Sequence, residues 1–305
     1  MLSYVTRRLA IAPVSLLLVS LAVFVILRVT GDPVQLYLDI NSTPEVEAQL
    51  RAQLHLDQPV LLQFAHFLGD VARGDFGTSL QHSAPAMPLV LQRLRATLRL
   101  MALALMIALA LGVVAGIVSA VYQDRSVDFL ISAVAVAGQS MPSFWLGLLL
   151  IQVFALQLGW LPTSGQGSWR HMVLPAVTLA SFLLPGFILI TRTSVLENFN
   201  EPYVVTARSK GLRQSTVLFK HILPNALNPV LTFLGLQAGR LVGGSIITET
   251  IFAWPGVGRL MVSSIFQRDA PVVIAAVFLA SIAIILANLI VDLLQSAVDP
   301  RIRLE

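Results

Sequence analysis

The chain contains no cysteine and few charged residues. Without cysteine it forms neither disulfides nor thiolate metal sites, and it has no cysteine nucleophile. Charged residues make up 12% of its 305 residues, against 56% hydrophobic residues, whereas a soluble domain averages about 25% charged residues. This leaves too little polar surface for a water-soluble globule, and it disfavours a soluble enzyme, a disordered chain and a nucleic-acid-binding protein.

Catalytic and metal-binding motifs are also missing from the sequence. There is no G-x-x-x-x-G-K-[ST] phosphate loop, no H-E-x-x-H zinc motif and no G-x-S-x-G nucleophile motif. The five histidines are too dispersed for a local metal site. We therefore predict that the chain is not itself an enzyme and holds no metal, so that any ATP hydrolysis belongs to another subunit.

Long apolar runs dominate what is present. A helix crosses a bilayer with about 20 apolar residues, and six runs of that size occupy residues 9–27, 100–122, 129–160, 172–191, 227–248 and 271–291. We predict an all-α polytopic membrane protein with six transmembrane helices. The first run is longer than the apolar part of a secretory signal and no cleavage site follows it, so we expect an uncleaved helix.

Basic residues indicate the orientation of these helices. They cluster before the first run, after the last run, and between the fourth and fifth runs, where both lysines of the chain lie. By the positive-inside rule these three regions, and hence both termini, face the cytoplasm. Residues 31–99 carry five arginines and seven acids, but the rule weakens for long loops.

We divide the chain into three parts. Residues 1–30 hold the N-terminal segment and first helix, and residues 31–99 form an external segment. There, proline-led starts at Pro44 and Pro59 predict two short amphipathic helices. Residues 100–305 form a five-helix core that includes a cytoplasmic segment, residues 194–228.

The cytoplasmic segment carries a short helix pattern. Pro202 suits a first helical turn, Tyr203, Val204 and Ala207 make a small apolar face, and Gly211 can end the helix in the left-handed conformation. A second helical stretch leads into the fifth span. We expect a helix lying across the membrane surface, and both a docking role and a solvated connection are open at this point.

Polar residues inside the spans are candidates for a translocation path. Arg240 lies near the middle of the fifth span, where a charge is costly and should face protein or water. It could pair with Glu249 or with an acid on another subunit. Asn288 and Asp292 lie one helical turn apart in the sixth span. A polar path and structural pairing inside the bundle are equally compatible with these residues.

Two proline-containing segments are expected to interrupt the helices of the spans. Residues 139–143, with Gln139, Ser140 and Pro142, and residues 185–186 should interrupt helical bonding, and broken helices at membrane depth line cavities or gates. Just beyond the fifth span, Trp254 and Pro255 lie in a tight loop, where the tryptophan suits the headgroup layer.

Small-residue spacing predicts close helix contacts. Gly235, Gly239 and Gly243 share one face of the fifth span, and Gly112 and Gly116 do the same in the second. Ordinary packing within the chain and a subunit interface are the two interpretations.

Six motifs, in order along essentially the whole chain, resemble one known family. They lie at residues 28–33, 56–59 with 74–79, 206–212, 243–259, 268–269 and 291–303. The chain resembles an inner-membrane permease of the bacterial ABC importers for peptides and nickel, specifically the first of their two permease subunits. The glutamate of the general permease coupling signature is absent, since Val205 occupies its position.

The resemblance implies a type I ABC importer permease fold in the bacterial cytoplasmic membrane. It implies four partners besides lipid: a homologous second permease, two ATPase subunits that bind ATP and magnesium, and an extracytoplasmic solute-binding protein; no nucleic acid is expected. It implies peptides as cargo, with nickel, a metal chelate or a glutathione-like solute as the alternative. A secondary ion-coupled transporter is the alternative of another class.

The resemblance also assigns residues. The residues expected to couple the spans to the ATPase are Tyr203, Thr206, Ala207, Arg208, Lys210, Gly211, Leu223 and Pro224. The residues expected at the path or gate follow mainly from polar side chains and helix interruptions in the spans, and the role of Arg240 is not carried over from the family; they are Gln139, Ser140, Pro142, Arg240, Glu249, Trp254, Pro255, Asn288 and Asp292.

Overall fold

The computed structural model describes residues 13–26, 34, 44–53 and 57–298, most of them helical. Within these residues the helices are, in chain order, α1 Pro13–Ile26, α2 Pro44–Gln53, α3 Val60–Arg73, α4 Ala86–Val121, α5 Ser126–Ser140, α6 Ser143–Leu150, α7 Arg170–Phe199, α8 Pro202–Ser209, α9 Gln214–Thr216, α10 Leu223–Ile251, α11 Val257–Phe266 and α12 Ala270–Val298. Two of them continue in wider π-helical turns, α6 over Ile151–Gln157 and α9 over Val217–Ile222.

Helix length and apolar composition support a membrane protein. Among the described residues, α4, α7 and α12 are long and apolar enough to cross a membrane. Two bent pairs raise the number to five if each pair is one span: Ser126–Ser140 with Ser143–Gln157, and Gln214–Leu241 with Gly243–Ile251. The described part of α1 is a shorter apolar helix. The all-α architecture agrees with the sequence, and the count of six spans stays a prediction.

The chain forms two compact units. Among the described residues, the first unit contains Ala96–Pro255 and residues 284–298, and the second contains those up to Arg95 together with Gly256–Ala283. Their division falls inside α4, a helix of 36 residues that is about 54 Å long at 1.5 Å per residue. The predicted boundary between residues 99 and 100 therefore lies within one continuous helix.

Glycine sets the distance between α4 and α7 in the first unit. A Cβ atom added to Gly112 would lie 2.4 Å from the Cβ of Phe187, and one added to Gly116 would lie 2.6 Å from the Cβ of Thr191. Side chains at these two positions would force the helices apart. The small-residue spacing of the second span thus serves packing within the chain.

A sharp break separates α5 from α6. Their axes differ by 103°, and the change of direction occurs at Met141 and Pro142. Proline lacks the amide hydrogen of a helical bond and pushes the preceding residue out of the helical region, and Met141 is extended, with φ −84° and ψ 126°. The predicted interruption at residues 139–143 is therefore confirmed.

The interruption predicted at residues 185–186 is wrong. Helix α7 runs without a break from Arg170 to Phe199 and carries Pro185 in its interior. Pro185 is buried, and the Cβ position of Gly186 points into the ring of Phe233 on α10. Close packing against a neighbouring helix keeps α7 helical despite the missing proline hydrogen bond.

The second unit contains shorter helices and a buried hydrogen bond between Ser79 and Asp269. Helix α2 begins at Pro44 as predicted, and α3 begins one residue after Pro59. The Ser79 hydroxyl donates a 2.5 Å hydrogen bond to the fully buried carboxylate of Asp269. This bond joins the turn before α4 to the turn before α12.

We predict that Gly116→Val destabilises the protein by about 3 kcal/mol, because the added atoms meet the backbone of α7 and overpacking a core is costly. Thermal unfolding in detergent measures the effect. The matched control is Gly244→Ala, whose new Cβ would find its nearest neighbour, the Cδ1 of Leu179, at an ordinary 3.9 Å. Equal unfolding temperatures for the two variants would contradict the glycine contact.

Candidate functional site

Helix α8 lies between the two long helices α7 and α10, as the sequence predicted. Pro202 occupies its first turn and Glu201 precedes it in an extended conformation. Gly211, with φ +74°, takes the left-handed conformation just beyond its end. Proline at the start and glycine after the end limit α8 to eight residues.

The inner face of α8 is buried in the first unit. Val204 is 0% exposed and Ala207 is 5% exposed. They belong to an apolar cluster, here called the coupling cluster, formed by Ala120, Val195, Val204, Ala207, Val217, Leu218, Ile222, Leu223 and Ala226. These residues come from α4, α7, α8, the π-helical turns that follow α9, and the start of α10. A displacement of α8 therefore acts on three long helices at once.

The outer face of α8 is open to solvent in this chain. Val205 is 55% exposed, and Thr206, Arg208 and Lys210 are exposed as well. The guanidinium of Arg208 lies 5.5 Å from the centre of the Phe199 ring, a cation–π distance that orients the side chain. This face presents an apolar residue beside two cations.

Tyr203 corrects the predicted apolar face. It is 36% exposed, and its hydroxyl donates a 2.5 Å hydrogen bond to the Asn198 side chain. The buried face of α8 therefore consists of Val204 and Ala207 alone. Of the other residues assigned to coupling, Leu223 is buried in the coupling cluster, while Gly211 and Pro224 are exposed.

An ion pair that sequence reasoning missed lies next to the coupling cluster. Arg192 of α7 donates from Nε to Oδ1 of Asp128 and from Nη2 to Oδ2, both at 2.8 Å. The Ser119 hydroxyl donates to the same carboxylate at 2.5 Å and the Asp124 amide at 3.1 Å. The Asp128 carboxylate thus joins the end of α4, the following turn, the start of α5 and α7.

The sequence contains a weak signal for this pair. Asp128 is an acid in the first turn of α5, and Arg192 is one of the basic residues that close the fourth span. The helix dipole explains an acid in the first turn of α5, and the positive-inside rule explains an arginine after the fourth span, so neither residue needs the other to account for it. The 64-residue separation hid their contact.

Two residues predicted at the gate are buried within the first unit. Glu249 is 0% exposed, and its carboxylate accepts a 2.7 Å hydrogen bond from Thr97. Trp254 is 2% exposed, its indole N–H donates to the Ala96 carbonyl at 3.0 Å, and its amide donates to the Glu249 carbonyl. The indole of Trp254 is therefore enclosed by protein, and its expected depth at the headgroup layer stays a prediction.

Other predicted path residues are less buried than Glu249 and Trp254. Gln139 and Ser140 are exposed at the end of α5, and Pro142 is exposed at the break. Asn288 is half-buried on α12 beside Gly239. Asp292 lies outside the side chains that the structure describes.

Arg240 does not pair with Glu249. Its side chain is exposed, and it forms no ion pair or hydrogen bond with any residue in the described part of the chain.

The glycines of α10 lie in two different environments. A Cβ added to Gly239 would lie 3.3 Å from the side-chain oxygen of Asn288, so Gly239 allows α12 to approach. Gly235 is buried as well. Gly243 is exposed, and a Cβ there would meet no described atom within 4 Å. Packing within the chain therefore accounts for Gly239 and not for Gly243.

Long apolar helices, two bent pairs of helices and a short helix between α7 and α10 are the features of a multi-pass membrane protein. The chain belongs to the family of binding-protein-dependent transport system inner membrane components, whose model matches residues 112–304. The model of the N-terminal region of such membrane components matches residues 1–111.

The sequence is similar to curated relatives over almost its full length. The chain is 43% identical over 304 residues to the glutathione transport system permease protein GsiC of Escherichia coli strain K12, covering 99% of both chains. The GsiC protein of Salmonella typhimurium shows the same identity and coverage. The chain is therefore a permease subunit of an ABC importer in the inner membrane, a class that works in complexes with ATPase and substrate-binding partners.

Solved structures support the fold. The inward-facing MetNI methionine ABC transporter is similar with a TM-score of 0.60 at 19% identity, over 70% of this chain and 97% of that one. An amino acid ABC transporter crystallised with histidines gives a TM-score of 0.51 at 22% identity, over 69% of this chain and 94% of that one. The predicted type I permease fold is thus confirmed.

We predict that Asp128→Asn lowers stability by about 3 kcal/mol, because it leaves the Arg192 charge without its partner. Arg192→Gln should do the same from the other side. The double variant should lose clearly less than the sum of the two, since no unpaired charge remains. Thermal unfolding of the four proteins measures the coupling, and strict additivity would contradict a direct ion pair.

Proposed function

We propose that this chain forms one half of the membrane pathway of an ABC importer for small peptides, with a glutathione-like tripeptide as the first candidate. The membership in the permease family carries the importer class, and the glutathione permeases at 43% identity over 304 residues support the cargo. Nickel or a metal chelate is the alternative cargo. The family membership argues against the secondary ion-coupled carrier.

The coupling surface is the observation that best supports the mechanism. We define it as the exposed residues Val205, Thr206, Arg208 and Lys210 of α8 and its end. In this proposal an ATPase subunit binds the coupling surface from the cytoplasm. Because Val204 and Ala207 are anchored in the coupling cluster, movement of the ATPase is transmitted to α7 and α10 rather than absorbed by a loose loop.

The chain in this proposal performs no chemistry itself. Two ATPase subunits hold ATP and magnesium, a homologous second permease forms the other half of the pathway, and a solute-binding protein delivers cargo from outside. Both termini face the cytoplasm in this arrangement. The break between α5 and α6 and the buried Glu249–Trp254 group are its candidate gate elements.

The cargo is tested by uptake into vesicles that contain the complete complex and its solute-binding protein. Glutathione, an unmodified dipeptide and nickel ion are supplied separately, with and without ATP inside. We expect ATP-dependent uptake of glutathione or the dipeptide and none of nickel. Uptake of nickel alone would replace the peptide assignment, and gradient-driven uptake by the isolated chain would contradict the importer mechanism.

We predict that the double variant Arg208→Glu and Lys210→Glu lowers uptake about tenfold, a typical size for coupling between sites, while ATP hydrolysis by the complex continues. Reversing these charges alters the surface that binds the ATPase and leaves the buried anchors in place. Uptake and phosphate release are measured on the same vesicles.

The matched control for this pair is Arg125→Glu, which reverses an exposed cation in the turn between α4 and α5. It should retain uptake. Normal uptake by the double variant, or an equal loss in the control, would contradict the coupling role.

A further inference from the structure

Arg240 lies on an open face in the middle of α10. It is exposed in this chain and has no ion-pair or hydrogen-bond partner among the residues described. It lies inside the apolar run of residues 227–248, just before the 57° bend that separates Leu241 from Gly243. A charge at that depth is costly against lipid tails, so the guanidinium must meet water or an anion.

The residues that share this face leave space around the guanidinium. Leu236, one turn before Arg240 and on the same side of the bend in α10, is 51% exposed. Just beyond the 57° bend, the Cβ position of Gly243 has no described atom within 4 Å, and Ile247 is 50% exposed. The face is therefore not filled by the described part of this chain.

Two buried acids of the first unit are engaged by groups other than Arg240. Glu249 is fully buried and accepts the Thr97 hydroxyl, and Asp128 is held by Arg192. One turn before Arg240, Gln237 is 6% exposed and keeps a side-chain oxygen that no described group donates to. As far as the described residues extend, the middle of α10 thus combines a free cation with unused hydrogen-bonding capacity.

We propose that Arg240 binds a carboxylate of the solute as it passes through the membrane, which makes the preferred cargo a small peptide with a free carboxylate. This inference rests on the proposed function and adds a binding site to it. An arginine stays charged at all physiological pH values and holds a carboxylate through two parallel hydrogen bonds. A cation in a narrow aqueous path also raises the local concentration of anions.

The absence of cysteine in this chain permits a clean test. Leu236→Cys places one thiol a helical turn from Arg240 on the same face, in the complete complex reconstituted in vesicles. Its reaction rate is measured with a sulfonate-bearing and an ammonium-bearing methanethiosulfonate, by the mass of this chain. Backgrounds with Arg240, Arg240→Lys and Arg240→Gln are compared, and gel filtration confirms that each complex is assembled.

We expect both reagents to react with the thiol introduced at position 236. The ratio of the labelling rate of the sulfonate reagent to that of the ammonium reagent should fall about tenfold in Arg240→Gln, because one nearby positive charge is lost. It should not fall in Arg240→Lys, which keeps the charge. A transported peptide, S-methylglutathione or dialanine, should slow labelling during ATP turnover only where the cation is present. S-methylglutathione is chosen because it has two carboxylates and no reactive thiol.

Three outcomes overturn the inference. Failure of both reagents to react would mean that lipid or another subunit covers this face, as it would if Arg240 paired with an acid of the second permease. An unchanged rate ratio, or protection by peptide that persists in Arg240→Gln, would remove the carboxylate contact. Uptake by the complex carrying native Arg240 and Leu236 separates the two claims, because lack of uptake of either peptide contradicts the proposed function itself.

Discussion

The burial of Val204 and Ala207 beneath α8 is the contact on which the rest of the mechanism depends. An eight-residue helix has little stability of its own in water, and it keeps its shape here because its inner face completes the coupling cluster. The same burial leaves the outer face exposed. A force applied to Val205 or Arg208 therefore reaches α7 and α10 through packed side chains, which yield little.

Two further contacts extend this rigid path. Arg192 lies close in sequence to Val195 of the coupling cluster, and its ion pair with Asp128 holds the start of α5. Helix α5 in turn leads to the 103° break before α6. The glycine contacts of α4 with α7 keep these helices in close contact. Within the first unit, closely packed contacts thus connect the coupling surface to the broken pair α5 and α6.

Sequence rules correctly predicted the helix ends that are set by a single proline or glycine. Pro202 and Gly211 delimit α8, and Pro142 ends α5, because each acts on its own backbone. Pro185 did not break α7, since packing with α10 outweighs one lost hydrogen bond. The burial of Trp254 depends on the Ala96 carbonyl, 158 residues away, and no local pattern shows such a contact. The resemblance indicated the family, which is confirmed, and a coupling role for residues 206–212, which stays a prediction. It did not indicate the partly buried ion pair of Arg192 with Asp128.

Chemical crosslinking of the coupling surface tests the central claim most directly. Val205→Cys introduces the only cysteine of this chain, and the complete complex in native membranes is treated with a short bifunctional thiol reagent after single cysteines are placed in the ATPase surface. The account predicts a crosslinked product of this chain with the ATPase, formed from the cytoplasmic side. Labelling of the thiol at position 205 by an impermeant reagent added only outside the cell, with no ATPase product, would contradict it.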